Sequence, residues 1–161
     1  MINMKKLSSI LFLLFFALQL SAQLKIADLF REMPDSLLPL LTKNNRLDMI
    51  DFCEAQMKSE VKNKLEGTSE ITQLSNDSMQ IRLNDTHIVK LSLQNALEPY
   101  DSCQQIICRE QIFTLVSTNE EETIIDYYSV NWNHLLQPKL AAPRVPRSTI
   151  LRQDDKYLRE K

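Results

Sequence analysis

Two acidic residues, Glu110 and Asp126, lie on strand-like segments whose other alternating residues are apolar. Carboxyl groups on an apolar surface can have shifted pKa values, and a pair with different surroundings can serve as general acid and general base. A hydrolase site would follow if both carboxyl groups faced one cleft. The alternative, which we favour, is that both lie where the helices leave the sheet uncovered.

A second pair of carboxylates, Asp48 and Asp51, falls in the polar stretch "TKNNRLDMIDF". At a spacing of three residues on a helix they share one face and could bind a cation. Hard cations such as Ca²⁺ take about six to eight oxygen ligands, and this stretch offers no further ordered ones. We therefore favour a helix start, with Asn45 as the N-cap and the aspartates near the positive end of the helix dipole.

Three cysteines follow residue 22: Cys53, Cys103 and Cys108. An odd number in an oxidising compartment indicates one disulfide and one buried thiol. On a continuous strand Cys103 and Cys108 would face opposite sides about 16 Å apart, too far for a disulfide. They pair only if the chain bends near "EPYDSC"; otherwise one of them reaches Cys53.

Two histidines, His87 and His134, complete the groups that could do chemistry. Neither belongs to a recognisable zinc-ligand spacing or has an indicated nucleophile as partner, so both are interpreted as turn residues. Trp132 with Tyr127 and Tyr128 could line a ligand groove, but a tryptophan at a strand end more commonly packs. No cofactor is predicted.

Composition excludes several classes of protein. The single glycine is Gly67, so the chain cannot contain a Gly-rich phosphate loop, a dinucleotide fingerprint or the G-x-S-x-G turn of a hydrolase. Of 19 basic and 21 acidic residues, two basic ones lie in residues 1–22, so the remainder has 17 minus 21, a net charge of −4. This balance gives no reason to expect nucleic acid or an anionic membrane as a partner.

The first 22 residues have the organisation of a secretory signal peptide. Lys5 and Lys6 precede an apolar run from Ile10 to Leu18, and Ala22 ends the small residues typical of a cleavage site. The run is too short to cross about 30 Å of hydrocarbon comfortably. We expect cleavage near Ala22 and a mature protein that is periplasmic or secreted, with no transmembrane segment.

The residues after the signal peptide predict helices. Short helical pieces are interrupted by Pro34 and Pro39, and a helix of about 20 residues follows from Arg46 to Glu66. Gly67 then ends this helix as a left-handed cap. Its apolar stripe recurs every three or four residues and comprises Ile50, Cys53, Met57, Val61 and Leu65.

After Gly67 the apolar period changes to two, which predicts a meander of about five antiparallel strands. They are "SEITQLS", "SMQIRLN", "THIVKLSLQ", "QIICREQIFTLV" and "TIIDYYSVNW". Matching the apolar faces of the last two predicts Ile112 opposite Tyr128 and Val116 opposite Ile124. The predicted fold class is therefore α+β: one domain, residues 23–136, with N-terminal helices packed on one face of the sheet.

Residues 137–161 form a basic tail with three prolines. The favoured interpretation is a mobile, extended segment. The alternative is that residues 138–161 dock on an acidic partner, or on the acidic loop "NEEE" of the same protein.

Three segments carry a resemblance to a known family: "MPDSLLPLLTKNNRLDMIDF", the helix that closes at Gly67, and "YYSVNW". Together they resemble the exported bacterial proteins of domain of unknown function 3256, over nearly the whole mature chain. The resemblance implies an envelope protein of Gram-negative anaerobes and carries over no active site. Helices followed by an antiparallel meander are also similar, at the level of fold alone, to β-lactamase inhibitor proteins and outer-membrane assembly lipoproteins.

These observations predict a non-catalytic, exported binding or scaffold module of the bacterial cell envelope, with an unidentified envelope protein or ligand as its partner. The prediction rests on a well-patterned fold that lacks a converging nucleophile, base and oxyanion loop. The alternative is a small envelope hydrolase that uses Glu110 and Asp126 as its acid/base pair.

Overall fold

The computed structural model describes residues 23–141, so the predicted signal peptide and residues 142–161 of the predicted tail lie outside it. Two helices open the described chain, α1 (Ile26–Arg31) and α2 (Lys43–Glu54), separated by a 3-10 turn at Asp35–Leu37. The strands are β1 (Glu60–Lys62), β2 (Thr68–Leu74), β3 (Ser78–Asn84), β4 (His87–Tyr100), β5 (Cys103–Thr114), β6 (Glu121–Tyr128) and β7 (His134–Leu135).

All seven strands form one antiparallel sheet in the order β1 to β7. The predicted α+β class with an antiparallel sheet is confirmed. The sheet has seven strands instead of about five, because β1 and β7 add to the predicted ones. Within residues 23–141, neither helix has the length and apolar character needed to cross a membrane.

Helix α2 ends at Glu54, so the predicted helix from Arg46 to Glu66 is wrong beyond its first half. Gln56 turns the chain with a positive φ of 57°, and β1 follows. Met57 and Leu65, from the predicted apolar stripe, are 61% and 70% exposed. Their recurrence at helical spacing therefore does not mark a buried face.

Asn63 explains why a hairpin replaces the second half of that helix. Its Oδ1 accepts the backbone N–H groups of Leu65 and Gly67 at 3.0 and 3.2 Å. Its Nδ2 donates to the carbonyl oxygen of Leu83 at 3.1 Å. Asparagine side chains that bond nearby backbone groups stabilise turns at the expense of helix. Gly67 therefore lies in the turn between β1 and β2 instead of capping a helix, and its φ is not positive.

Helix α2 also begins earlier than predicted, with Thr42 as its N-cap. Asn45 N–H donates to Thr42 Oγ1 at 3.1 Å, and Thr42 N–H donates to Asn45 Oδ1 at 3.0 Å, which completes a capping box. Asn45 Nδ2 also donates to the carbonyl oxygen of Lys62 at 3.2 Å. The asparagine is thus the third residue of the helix and not its cap, and it ties α2 to β1.

Arg46 is unusual because its side chain is 1% exposed. The guanidinium donates to the carbonyl oxygens of Phe30 and Met33 at 3.2 and 2.5 Å, and to Asp35 Oδ1 at 2.7 Å. These acceptors lie at the end of α1 and in the segment that follows it. Arg46 therefore joins α1, the 3-10 turn and α2, and adds donors at the end of α1, where the helix has few N–H groups of its own left to offer.

One face of the sheet, which we call the core face, packs against the helices; the opposite one is the outer face. On the core face, Ile81 pairs with Val89 and Met79 pairs with Leu91 across β3 and β4. Helix α1 contacts β3 and β4, and α2 contacts β1 and β2. The buried core comprises Ile26, Leu29, Phe30, Met33, Leu38, Leu41, Met49, Ile50, Ile71, Met79, Ile81, Leu83, Val89, Leu91, Ile107, Tyr128 and Trp132.

The last described residues return to the sheet. After β7 the chain reaches the edge of β4 beyond the end of β3, where Leu140 pairs with Ala96. Lys139 Nζ bonds Glu98 at 2.6 Å at the same place. The folded part therefore includes residues 139–141, which lie past the predicted domain boundary at residue 136.

Candidate functional site

The hairpin of β5 and β6 does not have the predicted register. Ile112 lies opposite Thr123, and Ile107 lies opposite Tyr128, so the predicted pairing of Ile112 with Tyr128 is wrong by five residues. Adjacent Ile106 and Ile107 are both buried. Alternation alone therefore does not identify the core side of β5.

The turn of this hairpin is displaced as well. Val116, predicted to pair with Ile124, lies in the turn and is 85% exposed. Glu121 and Glu122, predicted to be loop residues, pair with the end of β5. Strand β6 therefore begins inside the run of glutamates.

The corrected register separates the two candidate catalytic acids. A shift by an odd number of residues turns one strand over, so Glu110 lies on the outer face and Asp126 on the core face. Glu110 is 3.9 Å from Lys90 Nζ, whereas Asp126 Oδ2 accepts from Arg109 at 2.7 Å. The predicted acid and base do not share a cleft, so the structure does not support a hydrolase built on them.

Asp126 is the counter-ion of a buried arginine. Arg109 is 8% exposed; its Nη1 donates to the carbonyl oxygen of Leu37 at 2.9 Å. Its guanidinium lies 5.2 Å from the centre of the Tyr128 ring, and burial raises the pKa of the Tyr128 hydroxyl. The cluster joins the 3-10 turn to β5 and β6, so we interpret it as structural.

The candidate cation pair is not assembled into a site. Asp48 is exposed on α2, and Asp51 lies 3.4 Å from Arg31, which also bonds Glu54 at 2.8 Å. Among residues 23–141, no group of three or more His, Cys, Asp or Glu side chains is placed to hold a metal ion. Asp51 instead takes part in an ion-pair network that joins α1 to the end of α2.

The three cysteines are free thiols in the structure, so the disulfide suggested by their odd number is not formed there. Cys103 follows a turn in which Asp101 and Ser102 both have positive φ, as in the tight turns of β-hairpins. The bend near "EPYDSC" is therefore a hairpin turn. Cys108 is buried, and burial raises its pKa; a thiol that stays protonated is a poor nucleophile.

The histidines and the tryptophan contribute to packing. His87 stacks on an aromatic ring of β5 with centroids 4.1 Å apart, and burial lowers its pKa. His134 is half exposed and lies 3.8 Å from Asp126. The indole N–H of Trp132 donates to the carbonyl oxygen of Leu29 at 3.0 Å. Trp132 thus belongs to the core, in line with the favoured interpretation of its sequence position.

The described structure leaves a long strand edge open. β7 is two residues long and pairs only with Tyr127 and Tyr128, so no strand among residues 23–141 covers Glu121–Asp126 on that side. We call this segment the β6 edge. An open edge carries a row of unpaired backbone groups and is a template for another strand.

The hydrogen-bond pattern identifies which backbone groups of the β6 edge point outward. Glu120 O accepts an N–H from the β5 side, and Ser129 N–H donates to the β7 side. Because these directions alternate along an antiparallel strand, even-numbered residues of β6 bond to β5 and odd-numbered residues face away from it. The N–H and C=O groups of Thr123 and Ile125 therefore point out of the sheet.

Apolar side chains lie on both faces of the β6 edge. Ile124 is 49% exposed on the core face, and Ile125 is 54% exposed on the outer face. Leu115 and Val116, in the turn that leads into β6, are also exposed. Adjacent exposed isoleucines on opposite faces can contact both sides of an added strand.

The β6 edge is acidic. Glu120, Glu121, Glu122 and Asp126 lie in or beside it, and residues 115–126 contain no Lys, Arg or His. Sequence reasoning missed this site because three consecutive glutamates are typical of a solvated loop. The signal that could have found it is the apolar pair in "TIID", which extends the strand towards the glutamates.

A cleft lies elsewhere on the sheet, beside β4 on the side where β3 ends. Between the start of β3 and residues 139–141, this cleft of about 350 Å³ opens over Ser92–Asn95. Asp77 is the one ionisable residue among those that line it. This cleft is a competing position for a ligand.

Comparison with known proteins identifies a family and a fold. A family model described as "Protein of unknown function (DUF3256)" matches residues 17–159. No curated protein matches the chain. A solved structure described as "Structure of a domain of an uncharacterized protein from Porphyromonas gingivalis W83" is similar, with a TM-score of 0.53 and 21% sequence identity. The match covers 76% of this chain and 64% of that one, less than two thirds of its length, and at this identity it shows the fold alone.

Proposed function

The chain belongs to this family of proteins of unknown function, DUF3256, and we propose that it is a non-catalytic, exported binding module of the bacterial cell envelope whose site is the β6 edge. The module accepts an extended, basic polypeptide segment as an added strand. Export is supported by the signal-peptide pattern of residues 1–22. The binding role is supported by an open strand edge with apolar residues on both faces.

The two edges of the sheet differ in a way that supports this role. At the other edge, β1 is three residues long and carries Lys62, with Lys58 and Lys64 close to it in sequence. Short strands and lysines protect an edge against unwanted pairing. The β6 edge spans six residues, has no lysine and exposes Ile124 and Ile125. Its charged residues lie towards its ends, so its centre, residues 123–125, lacks that protection, as expected of an edge that pairs with a partner.

Strand addition draws its affinity from the backbone and its selectivity from the side chains. The outward groups of Thr123 and Ile125 provide two donors and two acceptors, and each hydrogen bond contributes a net of about 0.5–1.5 kcal/mol. Covering the exposed isoleucines adds about 25 cal/mol per Å² of buried apolar surface. The edge therefore favours a segment with neighbouring apolar residues that face opposite sides.

The charges beside the edge define the partner further. The acidic residues at the start of β6 favour arginine or lysine in the added segment and disfavour acidic residues. Because these carboxylates are solvent-exposed, the attraction should weaken as salt shortens the Debye length to about 8–10 Å. The expected partner is a basic, extended polypeptide with a short apolar centre.

A proline at Thr123 tests the proposed site. Its N–H points outward, so Thr123→Pro removes an edge donor and leaves the ladder between β5 and β6 in place, as prolines in edge strands do. We expect affinity for a synthetic peptide, with two adjacent β-branched residues between arginines, to fall by about tenfold or more. Fluorescence anisotropy with labelled peptide and dilute protein measures this change.

Two controls make the result specific. Thr123→Val keeps both the β-branched shape and the N–H, so it should bind as the unmodified chain does. A peptide with glutamates in place of the arginines should bind weakly to both. Unchanged peptide affinity in a Thr123→Pro protein whose circular dichroism shows a folded sheet would refute the β6 edge as the site.

A further inference from the structure

The β6 edge has a complementary segment within this chain. We infer that it binds residues 147–152 of a second copy, as a parallel strand, so that two copies exchange these segments. The inference rests on the proposed function and specifies its partner.

The complementarity appears when the sequence of the edge is aligned with the sequence 26 residues later. The edge reads "EETIID" and the later segment reads "RSTILR". At the first end Glu121 and Arg147 have opposite signs, and the centres are alike; at the second end Asp126 is already paired with Arg109, so the charge match rests on the first end. The aligned pairs are Glu121 with Arg147, Glu122 with Ser148, Thr123 with Thr149, Ile124 with Ile150, Ile125 with Leu151, and Asp126 with Arg152.

The apolar centres also agree in the faces they would occupy. Ile124 and Ile125 are exposed on opposite faces of the sheet. Successive residues of an extended strand likewise point to opposite faces, so Ile150 and Leu151 would each meet one exposed isoleucine. The added strand would cover the apolar surface that the β6 edge leaves exposed on both sides.

The parallel direction follows from the same match. An antiparallel strand that still set an arginine beside Glu121 would place the apolar pair Ile150 and Leu151 beside Thr123 and Glu122. Only the parallel register sets both apolar residues beside the exposed isoleucines while Arg147 lies beside Glu121. Sheets that contain both parallel and antiparallel pairs are common among large sheets.

The distance between the tail and the β6 edge argues for a second copy. Residues 139–141 lie beside Asn95, which pairs with Gln105 of β5, whereas Glu121 pairs with Thr114 of the same strand. Gln105 and Thr114 are nine residues apart along β5, or about 30 Å. Across the sheet, β4, β5 and β6 lie between residues 139–141 and a strand added beyond β6. The two positions are therefore four strand spacings apart, or about 19 Å. The straight-line separation is therefore about 35 Å.

The chain of the same copy is too short to cover that separation. From Ala141 to Arg147 there are six peptide units, which span at most about 22 Å when fully extended. Arg147 of the same copy therefore cannot lie beside Glu121 in this register. In a second copy the restriction disappears, and a reciprocal exchange closes the assembly as a twofold dimer.

Charge reversal across the proposed pair of Glu121 and Arg147 tests the exchange in the full chain. Glu121 is an exposed residue of β6, so Glu121→Lys should leave the fold intact. In a dimer of Glu121→Lys chains, lysine faces arginine; in a dimer of Arg147→Glu chains, glutamate faces glutamate. We expect each substitution alone to weaken the dimer by about tenfold or more, measured by sedimentation equilibrium.

Mixing the two variants is the decisive step, because every edge in the mixed dimer then faces a tail of opposite charge. We expect the mixture to associate about as tightly as the unmodified chain, whereas neither variant does so alone. A matched control, Lys64→Glu, reverses the charge of an exposed residue in the turn between β1 and β2 and should leave dimerisation unchanged.

Failure of this inference is distinguishable from failure of the proposed function. If the unmodified chain is monomeric, or if the mixture associates no better than its parts, exchange between copies is wrong. If the unmodified chain does not exchange segments but still binds the arginine-flanked peptide, and Thr123→Pro abolishes that binding, the β6 edge remains a binding site for another partner. Loss of both self-association and peptide binding would reject both proposals.

Discussion

Arg46→Met is expected to lower the free energy of unfolding by about 3 kcal/mol. The arginine is 1% exposed and donates to the carbonyl oxygens of Phe30 and Met33 and to Asp35. Methionine fills much of the same volume but donates no hydrogen bond. The carbonyl oxygen of Phe30 would keep the N–H of Met33 at 3.3 Å, so the loss falls mainly on the carbonyl oxygen of Met33, at about 1–3 kcal/mol, and on the ion pair with Asp35. Urea unfolding, followed by circular dichroism, measures the loss.

Two further substitutions separate hydrogen bonding from charge. Arg46→Lys keeps the charge but lacks the planar fork that reaches several acceptors at once, so it should recover only part of the loss. Arg31→Met removes a more exposed ion-pair network with Asp28, Asp51 and Glu54 and should cost about 1 kcal/mol or less. Equal losses for Arg46→Met and Arg31→Met would contradict the assignment of Arg46 as the link between the helices.

Asp126→Asn is the second substitution with a large expected effect, a loss of about 2–3 kcal/mol of unfolding free energy, measured by the same urea unfolding. It removes the negative charge that neutralises Arg109, whose side chain is 10% exposed, and an arginine buried without its counter-ion is strongly destabilising. The carboxylate itself is 23% exposed, which places the expected loss below that of a fully buried pair.

Glu110→Gln is the matched control, because sequence reasoning paired Glu110 with Asp126 as equivalent acids. Glu110 lies 3.9 Å from Lys90 and is 35% exposed, so its loss should cost about 0.5 kcal/mol or less. In the double variant of Asp126→Asn with Arg109→Met, the losses should be less than additive, because no charge is left unpaired. Equal effects of the two single carboxylate substitutions would argue against the different roles assigned here.

The strands of the meander were predictable from the sequence, and the helix end was not. In β3 and β4 the buried residues alternate with polar ones, so the core face of Ile81, Val89 and Leu91 follows from the pattern alone. Residues 55–66 carry a helical pattern of apolar residues, but the side chain of Asn63 forms a hydrogen-bonded turn that needs Leu83 as a distant acceptor. A contact across 20 residues cannot be read from local spacing.

The candidate site was missed for a related reason. The core side of β5 is ambiguous from the sequence because Ile106 and Ile107 are both apolar and both buried. Assigning Ile106 to the core face, instead of Ile107, places Glu110 and Asp126 on the same face. The open edge depends on the length of β7, which is set by where the chain leaves for β4. Tertiary contacts decide the core side of β5 and the length of the open edge. The sequence alone shows the acidic and apolar composition of that edge.

Amide hydrogen exchange in β6 tests the central claim most directly. In an Arg147→Glu chain, whose own segment carries the wrong charge for the edge, the N–H groups of Thr123 and Ile125 should exchange fast. Adding the arginine-flanked peptide should slow both, because they then bond to the added strand, while Ile124, already bonded to β5, should change little. Unchanged exchange at Thr123 and Ile125 on peptide binding, or protection only at Ser92–Asn95 beside the cleft, would contradict the account.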